Sequence, residues 1–227
     1  MRSRIFAVST TTHTATKSTS VALLEAALSR ISAIHPGAQI QAVNADKLHI
    51  VKNLSCYANG KRDCANPESG PYRCWAHYES TKDPQKYGGV DQMPVIYDGI
   101  AWADTVVWAT STRWGSHSAL MQKIIERMDT IENRAVSWGE PNPLRGKRCG
   151  VLAAGLHWKT DAVADHLQTV FRWYGFDVPD AGGSIAWQRT DDPYFEHPDP
   201  DKPYIERWLH TKQGREAVDL FAHTMLV

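Results

Sequence analysis

A hydroxyl-rich segment, residues 110–116 with the sequence TSTRWGS, has the residue types best suited to bind a ligand. Its Ser and Thr side chains and its backbone N–H groups offer hydrogen bonds, Arg113 offers a positive charge, and Trp114 offers an aromatic face. This combination favours a ligand-binding loop. Turns and helix caps also use Ser, Thr and Gly, so a plain connection is the alternative interpretation.

The elements on either side of this segment place it at the end of a strand. Residues 105–109, TVVWA, form a short apolar run that is typical of a strand buried on both faces. From Ser118 onward, Met121, Ile124, Met128 and Ile131 recur at helical spacing, and Ser116 or Ser118 would cap that helix. Because open α/β sheets bind ligands at the carboxyl ends of their strands, the loop between these elements is predicted to line a site.

A second polar loop follows the first predicted strand, residues 5–8. Residues 9–19 are mostly Ser and Thr, and a helix follows from Val21 and ends before Pro36 and Gly37. Hydroxyls and free N–H groups at a helix N-terminus favour an anion, so this loop is a candidate phosphate cradle. A mobile Thr-rich turn is the alternative. The Walker pattern and the G-x-G-x-x-G fingerprint are both missing here, which disfavours a nucleoside triphosphatase or a Rossmann dinucleotide site.

A third loop, residues 154–159, follows another apolar run and is predicted to form the third wall of the same crevice. His157 in this loop faces either the ligand or the solvent. Asp161 is expected to cap the next helix, a fifth strand is expected at residues 184–187, and the last helix is expected to begin near Pro203 or Tyr204.

Residues 56–93 lack periodicity and hold three of the four cysteines, so we expect an irregular insertion that forms a lid or an interface element near the ligand. Cys56, Cys64, Cys74 and His77 are candidate ligands of zinc or of an iron–sulfur cluster. The cysteines are separated by seven and nine residues, whereas metal sites favour closer pairs. Isolated thiols in a reducing cytosol are therefore expected, with a metal site as the alternative.

Composition limits the partners of the protein. The 227 residues include 25 basic and 25 acidic residues, so no strong field favours nucleic acid or an anionic membrane. No segment approaches the roughly 20 apolar residues of a membrane span, and the N-terminus leaves no room for a signal peptide. A cytoplasmic protein is expected.

The order of predicted elements gives the fold. Strands and helices alternate, and residues 38–43 have the polar–apolar alternation of a second strand near an edge. This order predicts a single α/β domain over residues 1–227, a three-layer, doubly wound, five-stranded parallel sheet with its polar loops at one end.

The central segment resembles a motif of the flavodoxin-like NADPH-dependent FMN reductase family, Pro-x-Tyr-Trp/Phe-Gly-Ser-x-Ser-x-x-Leu-Lys-x-x-x-Asp-Arg. The matching positions are Trp114-Gly115-Ser116 and Arg127. Ser111 replaces the usual Pro, Arg113 replaces the usual aromatic residue, and Gln122 replaces the usual Lys, with Lys123 one position later. Residues 9–20 are similar to the family's phosphate loop, although the Gly, Pro and Arg of that loop are missing.

This resemblance implies FMN as a non-covalent cofactor and NAD(P)H as co-substrate. The cofactor-binding candidates are Thr11, Ser18, Thr19, Ser20, Ser111, Thr112, Arg113, Trp114, Gly115, Ala154, Gly155 and His157. Since the flavin carries the redox chemistry, no catalytic acid or base side chain is expected. Arg113 is the candidate for stabilising negative charge on the reduced flavin or for binding a phosphate of the nicotinamide nucleotide.

The implied function is an FMN-dependent NAD(P)H oxidoreductase that passes hydride or electrons to a quinone, a flavin or a similar small acceptor, as a homodimer or homotetramer. Two alternatives with this cofactor are a flavodoxin-like electron carrier and an iron–sulfur flavoprotein, and a scaffold protein without flavin would share the fold. Neutral net charge argues against the carrier, because electron-carrier flavodoxins are usually strongly acidic.

Overall fold

The computed structural model describes residues 3–12, 18–56, 64, 74–191 and 204–226. Five strands pair in parallel in the order β2-β1-β3-β4-β5, which is the doubly wound order of the flavodoxin-like fold. The strands are β1 Arg4–Ser9, β2 Gln39–Asn44, β3 Thr105–Ser111, β4 Arg148–Gly155 and β5 Ser184–Gln188. The predicted fold class is confirmed, and the half-exposed β2 lies at an edge as expected.

Helices cover both faces of the sheet. They are α1 Thr19–Ile34, α2 Trp75–Lys82, α3 Pro84–Tyr87, α4 Met93–Trp102, α5 Ala119–Trp138, α6 Thr160–Tyr174, α7 Glu206–Leu209 and α8 Lys212–Thr224. Buried residues of α4, α5 and α6 share one core cluster, and those of α1, α7 and α8 share the other. No helix in the described part of the chain is long and apolar enough to span a membrane.

Strand β3 supplies side chains to both cores because successive residues point to opposite faces. Trp108 is fully buried and stacks on Phe171 of α6 with ring centroids 5.1 Å apart, whereas the neighbouring Val107 packs on the side of α1 and α8. The prediction of a central strand buried on both faces is therefore confirmed.

The predicted stripe on α5 is confirmed, since Met121, Ile124, Met128 and Ile131 are all buried. Of the two candidate caps, Ser118 is the N-cap, and its hydroxyl accepts a hydrogen bond from the backbone N–H of Met121 at 3.1 Å.

The predicted cap of α6 is wrong. Asp161 lies inside the first turn, and the N-cap is Lys159, which adopts the left-handed conformation and makes no capping hydrogen bond through its side chain. A sharp turn at Lys159 starts the helix two residues earlier than Asp161 would.

The insertion is more regular than predicted. Residues 75–82 and 84–87 are helical, and α4 begins at Met93, where the sequence analysis placed no helix. Helix α2 buries only Ala76 and Ser80, so it has no apolar stripe to detect. In α4, Pro94 lies in the first turn and Gly99 allows close packing against the ring of Phe6 on β1, and both residues resemble turn signals. Residues 57–63 and 65–73 lie outside the described residues.

The carboxyl-terminal part also differs from the prediction. It contains two helices, and the first begins at Glu206, after the expected start near Pro203 or Tyr204.

Candidate functional site

The carboxyl ends of β1 and β3 are joined by buried hydroxyl groups. Register pairs Ser9 with Ala109, so the residues that follow these strands lie side by side. The Thr10 hydroxyl contacts that of Thr110 at 3.2 Å, and the Ser118 hydroxyl donates to Thr10 at 2.9 Å. This network holds the start of α5 against the carboxyl ends of β1 and β3, where the polar loops begin.

The first polar loop brings together three of the predicted phosphate-binding side chains. The Ser18 hydroxyl donates to Thr11 at 3.1 Å and lies 3.3 Å from the Ser20 hydroxyl, and all three residues are buried. Ser18 also caps α1 by accepting from the N–H of Val21 at 3.3 Å. Thr19 is partly exposed in the first turn. Residues 13–17, the middle of the predicted cradle, lie outside the described residues.

The N-terminus of α1 is electropositive. A helix cannot satisfy its first N–H groups internally, and here those include the N–H groups of Thr19 and Ser20. The first turn contains no acidic residue that would repel an anion. This end of α1 therefore suits a phosphate group.

The second polar loop is a tight hairpin after β3. Arg113 and Ser116 pair through two backbone hydrogen bonds of 2.7 and 2.9 Å, and Trp114 and Gly115 between them have φ values of 51° and 74°. Positive φ at both central residues is the pattern of a type I′ turn. The turn holds the indole of Trp114 in solvent, with 93% of the residue exposed. Arg113 is oriented by a 3.3 Å hydrogen bond from its Nε to the Ser111 hydroxyl.

The third loop lies directly beside the second. The N–H of Thr112 donates to the carbonyl of Ala154 at 2.8 Å, so β3 and β4 remain paired into the loops. A Cβ on Gly115 would lie 3.2 Å from the ring of Trp158, which shows how closely the two loops approach. The ammonium group of Lys159 lies 5.0 Å from the centroid of the Trp158 ring.

Two threonine hydroxyls are left without a partner at this junction. The Oγ1 atoms of Thr112 and Thr160 are buried and make no hydrogen bond within the described residues. Both lie against Gly155, where a Cβ would clash with Thr160 Oγ1 at 2.2 Å and approach Thr112 Oγ1 to 3.1 Å. Since Thr160 is the first residue of α6, the N-terminus of this helix lies beside the two hydroxyls that have no partner.

His157 is exposed, and its recorded contact is through its backbone carbonyl, which accepts from the hydroxyl of Thr190 at 2.8 Å. Of the candidates in this loop, Ala154 and Gly155 end strand β4 and are buried, whereas the side chain of His157 is exposed.

His117 is a titratable group beside this crevice. It is 7% exposed, its Nδ1 lies 3.2 Å from the carbonyl oxygen of Ser118, and its ring stacks on His166 at 5.8 Å. Burial lowers the pKa of His117, the Ser118 carbonyl opposes that effect, and the charge of His166 adds to it.

Several residues of this region were not identified as site candidates. Thr10, Thr110, Lys159 and Thr160 all lie within two residues of the end of a strand or loop that had been singled out. The available signal was their position after a predicted strand. That the side-chain hydroxyl of Thr160 has no hydrogen-bond partner is visible only in the folded chain.

Comparison with solved structures supports the fold. RosB with a bound 8-demethyl-8-formylriboflavin-5'-phosphate intermediate aligns with a TM-score of 0.66 at 17% identity, covering 97% of this chain and 76% of that chain. An azoreductase from Bacillus anthracis str. Sterne aligns with a TM-score of 0.61 at 12% identity, covering 97% and 99% of the two chains. An FMN-dependent NADH-azoreductase from Bacillus anthracis str. Ames Ancestor, solved in complex with FMN, aligns with a TM-score of 0.56 at 13% identity, covering 98% and 97%.

Sequence comparison with curated proteins finds no significant match. The family model for NADPH-dependent FMN reductases, in contrast, matches residues 13–188, which include four of the five strands, the second and third polar loops and the later part of the first polar loop. The resemblance stated from the central loop is thereby confirmed, and the chain belongs to the NADPH-dependent FMN reductase family of flavin-dependent oxidoreductases.

Proposed function

We propose that the protein is an FMN-dependent NAD(P)H oxidoreductase that reduces a small acceptor such as a quinone or a free flavin. The observation that carries the proposal is the meeting of three polar loops, after β1, β3 and β4, in one crevice beside an electropositive helix end. Bound FMN supplies the hydride-transfer chemistry, so the work of the chain is to bind and orient the flavin and to admit its substrates.

The loop after β1 suits the phosphate of FMN. The N–H groups of Thr19 and Ser20 at the start of α1 and the hydroxyls of Thr11, Ser18 and Ser20 offer donors without a formal positive charge. In the structure the hydroxyls bond to one another, and rotation of each O–H would redirect it to a phosphate oxygen. Only one such phosphate-binding loop is recognised among the described residues, which favours the mononucleotide FMN over the dinucleotide FAD.

The loops after β3 and β4 suit the flavin ring. The unpartnered hydroxyls of Thr112 and Thr160 would hydrogen-bond to its polar edge, and Trp114 offers an exposed aromatic face beside it. Gly155 leaves room there that a side chain would fill. Arg113 is placed to stabilise negative charge on the reduced ring or to bind a phosphate of the nicotinamide nucleotide.

Identification of the bound flavin tests the cofactor. The protein is reconstituted with a mixture of FMN and FAD, washed and denatured, and the released flavin is identified by chromatography. We expect FMN, and release of FAD alone or of no flavin would contradict the proposal.

Anaerobic titration tests the activity. NADPH or NADH added to the flavin-loaded protein without oxygen should bleach the yellow absorbance, and a quinone added next should restore it. A flavodoxin-like carrier would keep its colour with both nucleotides, and iron in the purified protein would indicate an iron–sulfur flavoprotein.

We further propose a homodimer or homotetramer in the cytoplasm, supported by the exposed Trp114 at the rim of the crevice. Light scattering of the flavin-loaded protein at several concentrations measures the assembly. A monomer at all concentrations would contradict this part of the proposal.

A further inference from the structure

Three cysteines that are far apart in the insertion line one cavity beside α5. Cys56, Cys64 and Cys74 line this small cavity together with Arg127 and Glu126. We call this space the thiol cavity. Each cysteine is only 4–7% exposed, while Glu126 at the cavity wall is exposed, so the cavity reaches the surface of the protein. All four cysteines are free thiols, as expected, and three of them share this cavity.

Arg127 makes this cavity unfavourable for a metal cation. Its Nη2 donates a hydrogen bond to the sulfur of Cys74 at 3.2 Å, and the guanidinium is almost fully buried. A fixed positive charge at that distance repels a second cation. Among the described residues, no group of three or more Cys, His, Asp or Glu has an arrangement that would hold a metal. Redox chemistry of the sulfurs is the remaining chemistry that a cluster of thiols offers.

The thiols of Cys56 and Cys64 are hydrogen-bonded to each other. That hydrogen bond, followed by burial and by the negative charge of Asp129, raises the pKa of Cys64 above its usual range. Cys64 thus keeps its proton and donates it toward the sulfur of Cys56. Two thiols that line one cavity and share a hydrogen bond are neighbours, which disulfide formation requires.

The backbone before Cys56 supports this contact. Ser55 adopts a φ of 50°, and its N–H donates to the side-chain oxygen of Asn53 at 2.7 Å. Asn53 in turn donates from Nδ2 to the carbonyl of Glu126 at 3.0 Å. This turn connects the segment to α5 and directs Cys56 into the thiol cavity.

We propose that Cys56 and Cys64 form a site of reversible oxidation, at which hydrogen peroxide converts the thiol pair into a disulfide. The sulfur of Cys56 attacks one peroxide oxygen while its thiol proton passes to the other, so the O–O bond breaks, water leaves and sulfenic acid remains on Cys56. The sulfur of Cys64 then attacks the sulfur of Cys56 while the thiol proton of Cys64 passes to the departing hydroxyl group, which forms the S–S bond and releases a second water. Overall, two thiols and one peroxide give one disulfide and two waters.

The other two cysteines provide internal references. Cys149 on β4 is fully buried in the core cluster that contains Trp108, away from the thiol cavity. Cys74 lies in the cavity but is held by Arg127. Disulfide formation at the proposed site therefore leaves both of these thiols free.

Tryptic mapping separates all the possible pairs. Cleavage after Lys and Arg places Cys56 in peptide 53–61, Cys64 in peptide 63–73, Cys74 in peptide 74–82 and Cys149 in peptide 149–159. The full-length protein is treated with hydrogen peroxide, alkylated with iodoacetamide, digested without reductant and analysed by mass spectrometry. We expect peptides 53–61 and 63–73 to be linked, with alkylation lost at both cysteines and recovered after dithiothreitol.

Matched variants complete the test. Cys64→Ser should abolish the linked peptide and Cys149→Ser should leave it unchanged, because only the first removes a sulfur of the pair. The proposal is overturned if Cys56 and Cys64 stay fully alkylated, if another pair links preferentially, or if Cys149 is oxidised at the same rate. Because the readout is a covalent bond and needs no flavin, its failure is distinct from a failure of the proposed reductase activity.

Discussion

The guanidinium of Arg127 on α5 and the carboxylate of Asp91 form two parallel hydrogen bonds of 2.9 and 2.7 Å in the protein interior. The side chains are 2% and 0% exposed. Arg127 also donates to the carbonyl of Val51 at 2.7 Å, and Asp91 accepts from the N–H of Val51 at 2.9 Å. One ion pair thus fastens the segment after β2 and the start of α4 to a helix of the main core.

Removal of one partner of this pair should strongly destabilise the fold. Asp91→Ala leaves the buried guanidinium uncompensated, and the free energy of unfolding should fall by about 3–5 kcal/mol. The matched control is Asp180→Ala, because Asp180 pairs with Arg172 at 2.7 Å while its side chain is 98% exposed. The control should cost less than about 1 kcal/mol. Urea unfolding measures the free energy of unfolding of both variants. Equal losses in the two variants would show that burial does not determine the contribution of the ion pair.

Loss of the Ser18 hydroxyl should weaken FMN binding as well as the fold. Ser18→Ala removes the cap of α1 and is expected to lower the free energy of unfolding by about 1 kcal/mol. It also removes a donor to the phosphate, which should weaken FMN by about tenfold or more. Flavin fluorescence titration gives the dissociation constant.

The control for this variant is Thr211→Ala, which removes the equivalent cap of α8, a 3.0 Å hydrogen bond from the N–H of Gly214. It should reproduce the loss of stability without changing the affinity for FMN. An unchanged affinity in Ser18→Ala would place the phosphate elsewhere.

Trp114 should matter for the flavin and not for folding. Since the residue is 93% exposed, Trp114→Ala should change the free energy of unfolding by no more than about 0.5 kcal/mol. Loss of a stacking face should weaken FMN or raise the Michaelis constant of the acceptor. Trp173→Ala on α6 is the control, because Trp173 is 82% exposed and lies outside the three polar loops. Identical kinetics in the two variants would remove Trp114 from the site.

His117 should make stability depend on pH. Burial holds the pKa of His117 in the folded protein below its ordinary value of 6.5. As the pH falls through about 6.5, the unfolded chain binds a proton at His117 that the folded protein does not bind. The free energy of unfolding therefore decreases as the pH falls below about 6.5, and this loss is absent at higher pH. His117→Gln should reduce that decrease. Urea unfolding at about pH 7.5 and about pH 5.5 measures the slope, and an equal slope in the variant would exclude His117 as its source.

The sequence by itself determined the parts of this protein that depend on neighbours along the chain. The β-branched run in β3, the helical stripe of α5 and the hydroxyls after β1 and β3 are local patterns, and the structure confirms the elements they predict. Since parallel strands all end at one edge, the meeting of the polar loops also followed from the order of elements. The family model matches residues 13–188, a range that includes the local motif around Trp114.

Only the tertiary structure decided the features that join distant residues. Asp91 and Arg127 lie 36 positions apart, and no periodicity links them. Cys56, Cys64 and Cys74 are too widely spaced to suggest a cluster, yet all three line one cavity beside Arg127 of α5. The partnerless hydroxyls of Thr112 and Thr160 likewise depend on what surrounds them. Burial and pairing are properties of the whole packed chain, and local propensity carries no information about which distant groups will share an interior.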